Sequence, residues 1–162
     1  MNAGQHQLAT PRVHTEPSKA ATVDTSKVRL AGVKVLVIDD SKTIRRSAEV
    51  LLMQAGCEVI LAEDGFDALD KISSHCPAII FVDVLMPRLD GYQTCALIKR
   101  SAIHKHVPVI MLTSKDNLFD RARGRAAGSN QHLTKPFTKE TLLQTVEAHV
   151  PSTHALHTPL HS

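Results

Sequence analysis

Two patterns of apolar and polar residues alternate along the middle of this chain. Short unbroken apolar runs occupy positions 35–38, 59–61, 79–82 and 109–112, with a weaker one around His132 and Leu133. They are rich in Val, Ile and Leu and do not alternate with polar residues. Continuous apolarity over four or so residues predicts strands covered on both faces.

Between the runs the apolar spacing becomes helical. Ile44, Ala48, Leu51, Leu52 and Ala55 share one face of a predicted helix that Ser41 starts and Gly56 stops. Ala68, Leu69 and Ile72 mark a second helix. Ala96, Leu97 and Ile98 sit in a third, which follows Asp90-Gly91. A short fourth, over about 117–127, carries Arg121, Arg123 and Arg125. Leu142, Leu143, Val146 and Val150 give the fifth, with Thr138 as its N-cap.

Five strand–helix repeats in about 115 residues predict an α/β fold with helices on both faces of a parallel sheet. Right-handed crossovers restrict the topology to a doubly wound, flavodoxin-like sheet of order 2-1-3-4-5. Residues 1–32 and 151–162 have no apolar period and are rich in small and polar residues. They are expected to be disordered tails around one domain at 33–150.

Composition narrows the function classes. The chain has 162 residues, 43% hydrophobic and 22% charged, a globular balance. A formal charge of +3 with no basic stripe does not argue for nucleic acid. Cys57, Cys76 and Cys95 are widely spaced and odd in number, which predicts reduced, buried thiols rather than a disulfide framework. No run approaches the ~18 apolar residues of a membrane span, and the N-terminus lacks a signal-like stretch. A cytoplasmic protein without membrane insertion is expected.

In a doubly wound sheet, ligands bind at the carboxyl ends of the strands. There the first strand ends in Asp39-Asp40, the third in Asp83 and the fourth in Thr113-Ser114, and the fifth runs into Lys135-Pro136. A single Asp at such a place is ordinarily a cap or a solvated turn residue. Asp40 could cap the first helix, and Thr113 and Lys135 could be ordinary polar ends. Five coincidences at one edge point instead to a cleft. Three clustered carboxylates need a counter-charge, and a hard divalent cation such as Mg2+ supplies one. With Lys135 added, the set suits phosphoryl transfer to a carboxylate nucleophile.

The segments VLVIDDSKTIRR, IIFVDVLMPRLDGYQTCALIK, PVIMLTSKD and HLTKPF strongly resemble the CheY-like receiver domain of bacterial response regulators. The resemblance spans about Val33 to Val150. The wording of MPRLDGYQTCALIK and GSNQHLTKPFTKE is similar to PilG-type regulators of type IV pilus twitching motility. The resemblance implies Asp83 as phosphoacceptor in a two-component phosphorelay. It implies Asp40, Asp83 and the Leu85 backbone carbonyl as Mg2+ ligands, with Asp39 acting through the metal shell. Thr113 and Lys135 would hold phosphoryl oxygens, Lys135-Pro136 would be cis, and Asp90-Gly91 would form the turn into the third helix. A chemotaxis-type histidine kinase would donate the group. The phosphoprotein would not be a turning-over enzyme beyond slow self-phosphorylation and self-dephosphorylation. No output module is expected after Val150, so a downstream pilus or motility protein would read the surface of the fourth helix, fifth strand and fifth helix.

One position departs from the pattern. The family usually carries Tyr or Phe two residues after the start of the fifth strand, where this chain has His132. That makes His132 a candidate switch residue with Thr113, sensitive to pH near neutrality. The plainer reading is an exposed polar tip. His104 and His106 lack further ligands for a metal site, and His154, His157 and His161 fall in a predicted tail. No Walker A or GxGxxG sequence is present. Two other functions compete with this one: a phosphorylation-independent adaptor with a receiver fold, and a haloacid-dehalogenase-like phosphatase. The latter needs D-x-D, where this chain has Asp39-Asp40-Ser41.

Overall fold

The computed structural model describes residues 30–114 and 118–151. Five strands, β1 (Lys34–Ile38), β2 (Glu58–Ala62), β3 (Ile79–Asp83), β4 (Val109–Thr113) and β5 (Gln131–Thr134), alternate with five helices. The helices are α1 (Lys42–Gln54), α2 (Gly65–His75), α3 (Gly91–Arg100), α4 (Leu118–Ala127) and α5 (Lys139–His149). All strand pairs are parallel and the order is β2-β1-β3-β4-β5, as the alternation of patterns implied.

Burial follows position in the sheet. Every residue of the inner strands β3 and β4 is buried, whereas no residue of the edge strand β5 is. Alternate side chains then feed two cores, because successive residues of a strand point to opposite faces. Leu36 and Ile38 of β1 pack with Ala68 and Ile72 of α2 and with Tyr92, Cys95 and Ile98 of α3. Val35 and Val37 pack on the other face with Ala48 and Leu52 of α1 and with Leu142 and Val146 of α5. Apolar contact on both faces is why these strands read as unbroken runs.

The helix ends follow the local signals. Ser41 caps α1 by accepting from the Ile44 amide, and Gly56 stops it at φ 95°. Thr138 caps α5 in a reciprocal capping box with Thr141. Asp90 does the same for α3 with Gln93. Such caps are worth about 1 kcal/mol each.

Some expectations shift. Leu30 is 1% exposed inside the α1–α5 core, so packed residues reach back three positions before the expected boundary at 33. The rest of the expected tails, 1–29 and 152–162, lies outside the described residues, as do His154, His157 and His161. The cysteines are free as expected, but not all buried. Cys57 and Cys95 are, and burial pushes both thiols up to about 11. Cys76 is exposed, because it caps α2 in the left-handed region at φ 50°, outside either core. Asp40 does not cap α1; Ser41 does.

Candidate functional site

The carboxyl ends of β1, β3, β4 and β5 meet at one edge of the sheet, and the expected residues meet there. One ligand oxygen each from Asp39, Asp40 and Asp83 can be chosen so that all three lie within 4.8 Å of one another. Lys135 Nζ lies 3.0 Å from Asp83 Oδ1 and 3.3 Å from Asp39 Oδ2. Thr113, 4% exposed, ends β4 beside them, and its carbonyl accepts the Lys135 amide at 2.7 Å. Leu85 follows two residues after Asp83 and is 73% exposed.

The three carboxylates sit in different surroundings. Asp39 is fully buried and held from several sides. Its Oδ1 accepts the Ser41 amide at 2.9 Å, and its backbone carbonyl accepts from Arg45 Nη1 at 2.7 Å. Asp40 is exposed to solvent. Asp83 is buried, and its side chain accepts from Lys135. Burial pushes the Asp83 carboxyl up to about 6, with the charges of Asp39 and Asp40 adding to the rise and Lys135 opposing it. Burial also works against the Lys135 ammonium. The bond to Asp83 and the negative charge of both aspartates outweigh that and raise its pKa.

The loop after β3 is built to approach this edge closely. Gly91 donates its amide to the Val84 carbonyl at 3.0 Å. A Cβ at position 91 would overlap the Asp83 carbonyl oxygen, so only glycine fits. Lys135-Pro136 is a cis peptide bond. Arg88, at φ 67°, ties the loop to α2 through Asp64 at 2.8 Å and lies over the Phe66 ring.

The donor set suits a hard cation. Carboxylate oxygens at this spacing, two of them buried or nearly so, match the all-oxygen preference of Mg2+. Asp39, Asp40 and Asp83 form the one group of three or more His, Cys, Asp or Glu ligands so arranged among the described residues. His104 and His106 are not part of any such group.

His132 is not in the cleft. It lies on the other side of β5 from Leu133, half-buried against α4, with Nε2 3.2 Å from the Asp120 carbonyl. A Cβ at Gly124 would overlap the imidazole, so the glycine makes room for the ring. The picture of an exposed polar tip therefore does not hold. Tyr92 reaches Asp120 from α3, its hydroxyl 3.3 Å from Oδ1, and the Arg123 guanidinium stacks 4.2 Å over the Tyr92 ring. Sequence reading missed the Tyr92–Asp120–His132 link, since nothing local connects positions 92, 120 and 132. It also missed Arg45 and the Ser41 amide on Asp39. Arg123 is a bridging side chain rather than part of a purely solvated face.

A family model described as the response regulator receiver domain matches residues 35–147. The chain belongs to this receiver family. It is 68% identical over 121 residues to Protein PilG of Pseudomonas aeruginosa, which covers 75% of this chain and 90% of that one. It is 38% identical over 116 residues to the response regulator MprA of a Mycobacterium species, and spans 50% of that protein's length. Among solved structures, the chemotaxis protein CheY4 of Vibrio cholerae aligns with a TM-score of 0.71 at 36% identity, over 74% of this chain and 100% of CheY4. The receiver domain of a Pseudomonas aeruginosa sensor histidine kinase, with a magnesium ion coordinated in its active site cleft, aligns with a TM-score of 0.69 at 29% identity. That match covers 74% of this chain and 98% of the other.

Proposed function

We propose that this receiver domain is a phosphorylation switch whose phosphoacceptor is Asp83. The observation that carries the reading is the Lys135 ammonium bridging two buried carboxylates, Asp83 and Asp39, beside the exposed Asp40. An Asp83 carboxylate oxygen attacks the phosphorus of a phosphohistidine on a chemotaxis-type histidine kinase. The P–N bond breaks, the imidazole leaves and takes up a proton, and an acyl phosphate remains on Asp83. Lys135 then exchanges its carboxylate bond for a phosphoryl oxygen, and the Thr113 hydroxyl donates to another.

Asp40, Asp83 and the Leu85 carbonyl would hold Mg2+, with Asp39 orienting the shell. When bound, the ion neutralises charge that develops on the phosphoryl oxygens. The magnesium in the cleft of the sensor-kinase receiver supports this assignment. Bond making and breaking need no further enzyme group here, so the chain acts as a phosphoacceptor rather than a turning-over catalyst.

The likeness to PilG supports a place in the control of type IV pilus twitching motility. The output is a change in binding to a downstream pilus or motility protein through the α4–β5–α5 face, in the cytoplasm. No helix among the described residues is long and apolar enough to cross a membrane. Phosphorylation adds charge at the cleft and shifts a pre-existing balance of conformations. A shift from 1:99 to 99:1 takes about 5.5 kcal/mol of differential stabilisation.

Intact-mass analysis after incubation with acetyl phosphate and Mg2+ tests the assignment. The native chain should gain one phosphoryl group and Asp83→Asn none. An equal gain in both would move the acceptor elsewhere.

A further inference from the structure

We propose that Arg45 is a positioning residue for the divalent cation: it holds the Asp39 carbonyl, fixes the Asp39–Asp40 peptide and thereby sets the Asp40 carboxylate in the cleft. The inference deepens the reading of Asp39, Asp40 and Asp83 as the Mg2+ site and rests on it.

Asp40 is the exposed member of the three acids. Among the described residues no hydrogen bond or ion pair holds its side chain. Its place is therefore set by the backbone on either side. After it, the Ser41 amide donates to Asp39 Oδ1 at 2.9 Å. Before it, the Asp39 carbonyl accepts from Arg45 Nη1 at 2.7 Å. That carbonyl shares a rigid plane with the Asp40 nitrogen and Cα. Any rotation of the plane carries the Asp40 side chain with it. The Arg45 amide in turn donates to the Ser41 carbonyl at 3.0 Å. These bonds join residues 39, 41 and 45 in a ring that runs round Asp40.

The choice of acceptor matters. Lys135 directs its donors at the carboxylates of Asp39 and Asp83, the kind of oxygen a hard cation uses. Arg45 bonds a backbone oxygen instead, so it orders the site without occupying a carboxylate. Helix stability does not account for a cation here, because Arg45 lies near the amino end of α1, where the helix dipole favours acids. An outward ion pair does not account for it either. Arg46, the next residue, is exposed and pairs with Glu49, whereas Arg45 is half-buried and turned to Asp39.

Positioning and charge predict opposite signs. Mg2+ demands near-ideal octahedral ligation, so a misplaced ligand lowers its affinity. By charge alone, removing a guanidinium beside a cation site relieves repulsion and tightens Mg2+ binding.

The test is an NMR titration of the 15N-labelled full chain with MgCl2, following the amides of residues 39–41 and 83–85. Arg45→Met should raise the Mg2+ Kd roughly tenfold, as loss of a group that orients ligands usually does. Arg45→Lys keeps the charge and a donor but not the planar fork, and should raise it about threefold. Arg45→Lys carries the test alone where Arg45→Met does not fold. Arg46→Met removes the same charge from the outer face and should leave the Kd unchanged. The metal-free spectrum of Arg45→Met should show the Asp40 and Ser41 amides displaced, and acetyl phosphate labelling should regain the native rate at saturating Mg2+. A Kd in the Arg45 variants equal to or below the native one overturns the proposal, as does a labelling defect that persists at saturating Mg2+. A native chain whose amides at 39–41 and 83–85 do not respond to Mg2+ would remove the metal reading itself, and this proposal with it.

Discussion

The cleft at the strand ends and the α4–β5 edge share β4 and β5 but are built differently. In the cleft, Asp39, Asp83 and Thr113 are at most 4% exposed, and backbone amides, Arg45 and Lys135 hold the acidic groups in place. At the edge, α4 buries only Gly124, β5 buries nothing, and the polar links run through long or half-exposed side chains. Charge crowded into a dry site needs firm counter-charges, because an unpaired buried ion is costly. A surface that changes partners needs the opposite, a helix held by few contacts that can resettle at low cost. On the proposed function, the difference separates a part that would store the signal from a part that would display it.

Removing the counter-charge should produce the largest stability effect. Lys135→Met leaves Asp39 and Asp83 buried without their ammonium, and breaking such a pair costs about 3–5 kcal/mol. Urea unfolding at pH 8 with a chelator measures it. A loss under about 1 kcal/mol would mean the cleft is wetter than its burial implies.

Two glycines then compare the regions directly. Gly91→Ala drives a Cβ into the Asp83 carbonyl, a backbone atom that cannot move alone. It should cost about 1–3 kcal/mol, as overpacking usually does, and slow acetyl phosphate labelling. Gly124→Ala meets the far end of the His132 ring at the open edge. There a side-chain shift relieves the contact, and the gain in helix propensity of about 1 kcal/mol offsets part of the strain. Equal losses in the two variants would show that the edge is as rigid as the cleft.

A smaller effect comes from pH. The folded Asp83 carboxyl stands at about 6, above its usual value of 3.8. A carboxyl raised on folding favours the fold below 3.8 and loses that contribution as pH rises through 6. The metal-free native chain should therefore lose about 1 kcal/mol relative to Asp83→Asn between pH 5 and pH 8. A constant difference across that range would place Asp83 in a more solvated setting. At the edge the matching measurement is the His132 imidazole titration by NMR, with and without phosphorylation. A pKa that moves with phosphorylation would tie the edge to the cleft, and an unchanged one would remove His132 from the switch.

How much was legible in advance depended on burial. The four apolar runs marked β1 to β4 because both faces of these strands are covered or nearly so. β5 was faint because Gln131, His132, Leu133 and Thr134 are half-buried or exposed at the edge. The candidate site was legible because doubly wound topology puts strand ends together, and Asp39, Asp40, Asp83, Thr113 and Lys135 each follow a recognisable run. The exposure of Cys76, the packing of Leu30 and the fixing of Asp39 by Arg45 had no local signal.

Residue order alone determined the strand and helix types, the sheet order and the edge at which acid, hydroxyl and ammonium gather, since periodicity, capping and crossover handedness are short-range rules. Tertiary structure decided that burial raises the Asp83 carboxyl, which ring the Gly124 gap admits, and where the arginines of α4 face. Those outcomes depend on distances between segments far apart in the chain, and desolvation and shape exist only once the segments have packed.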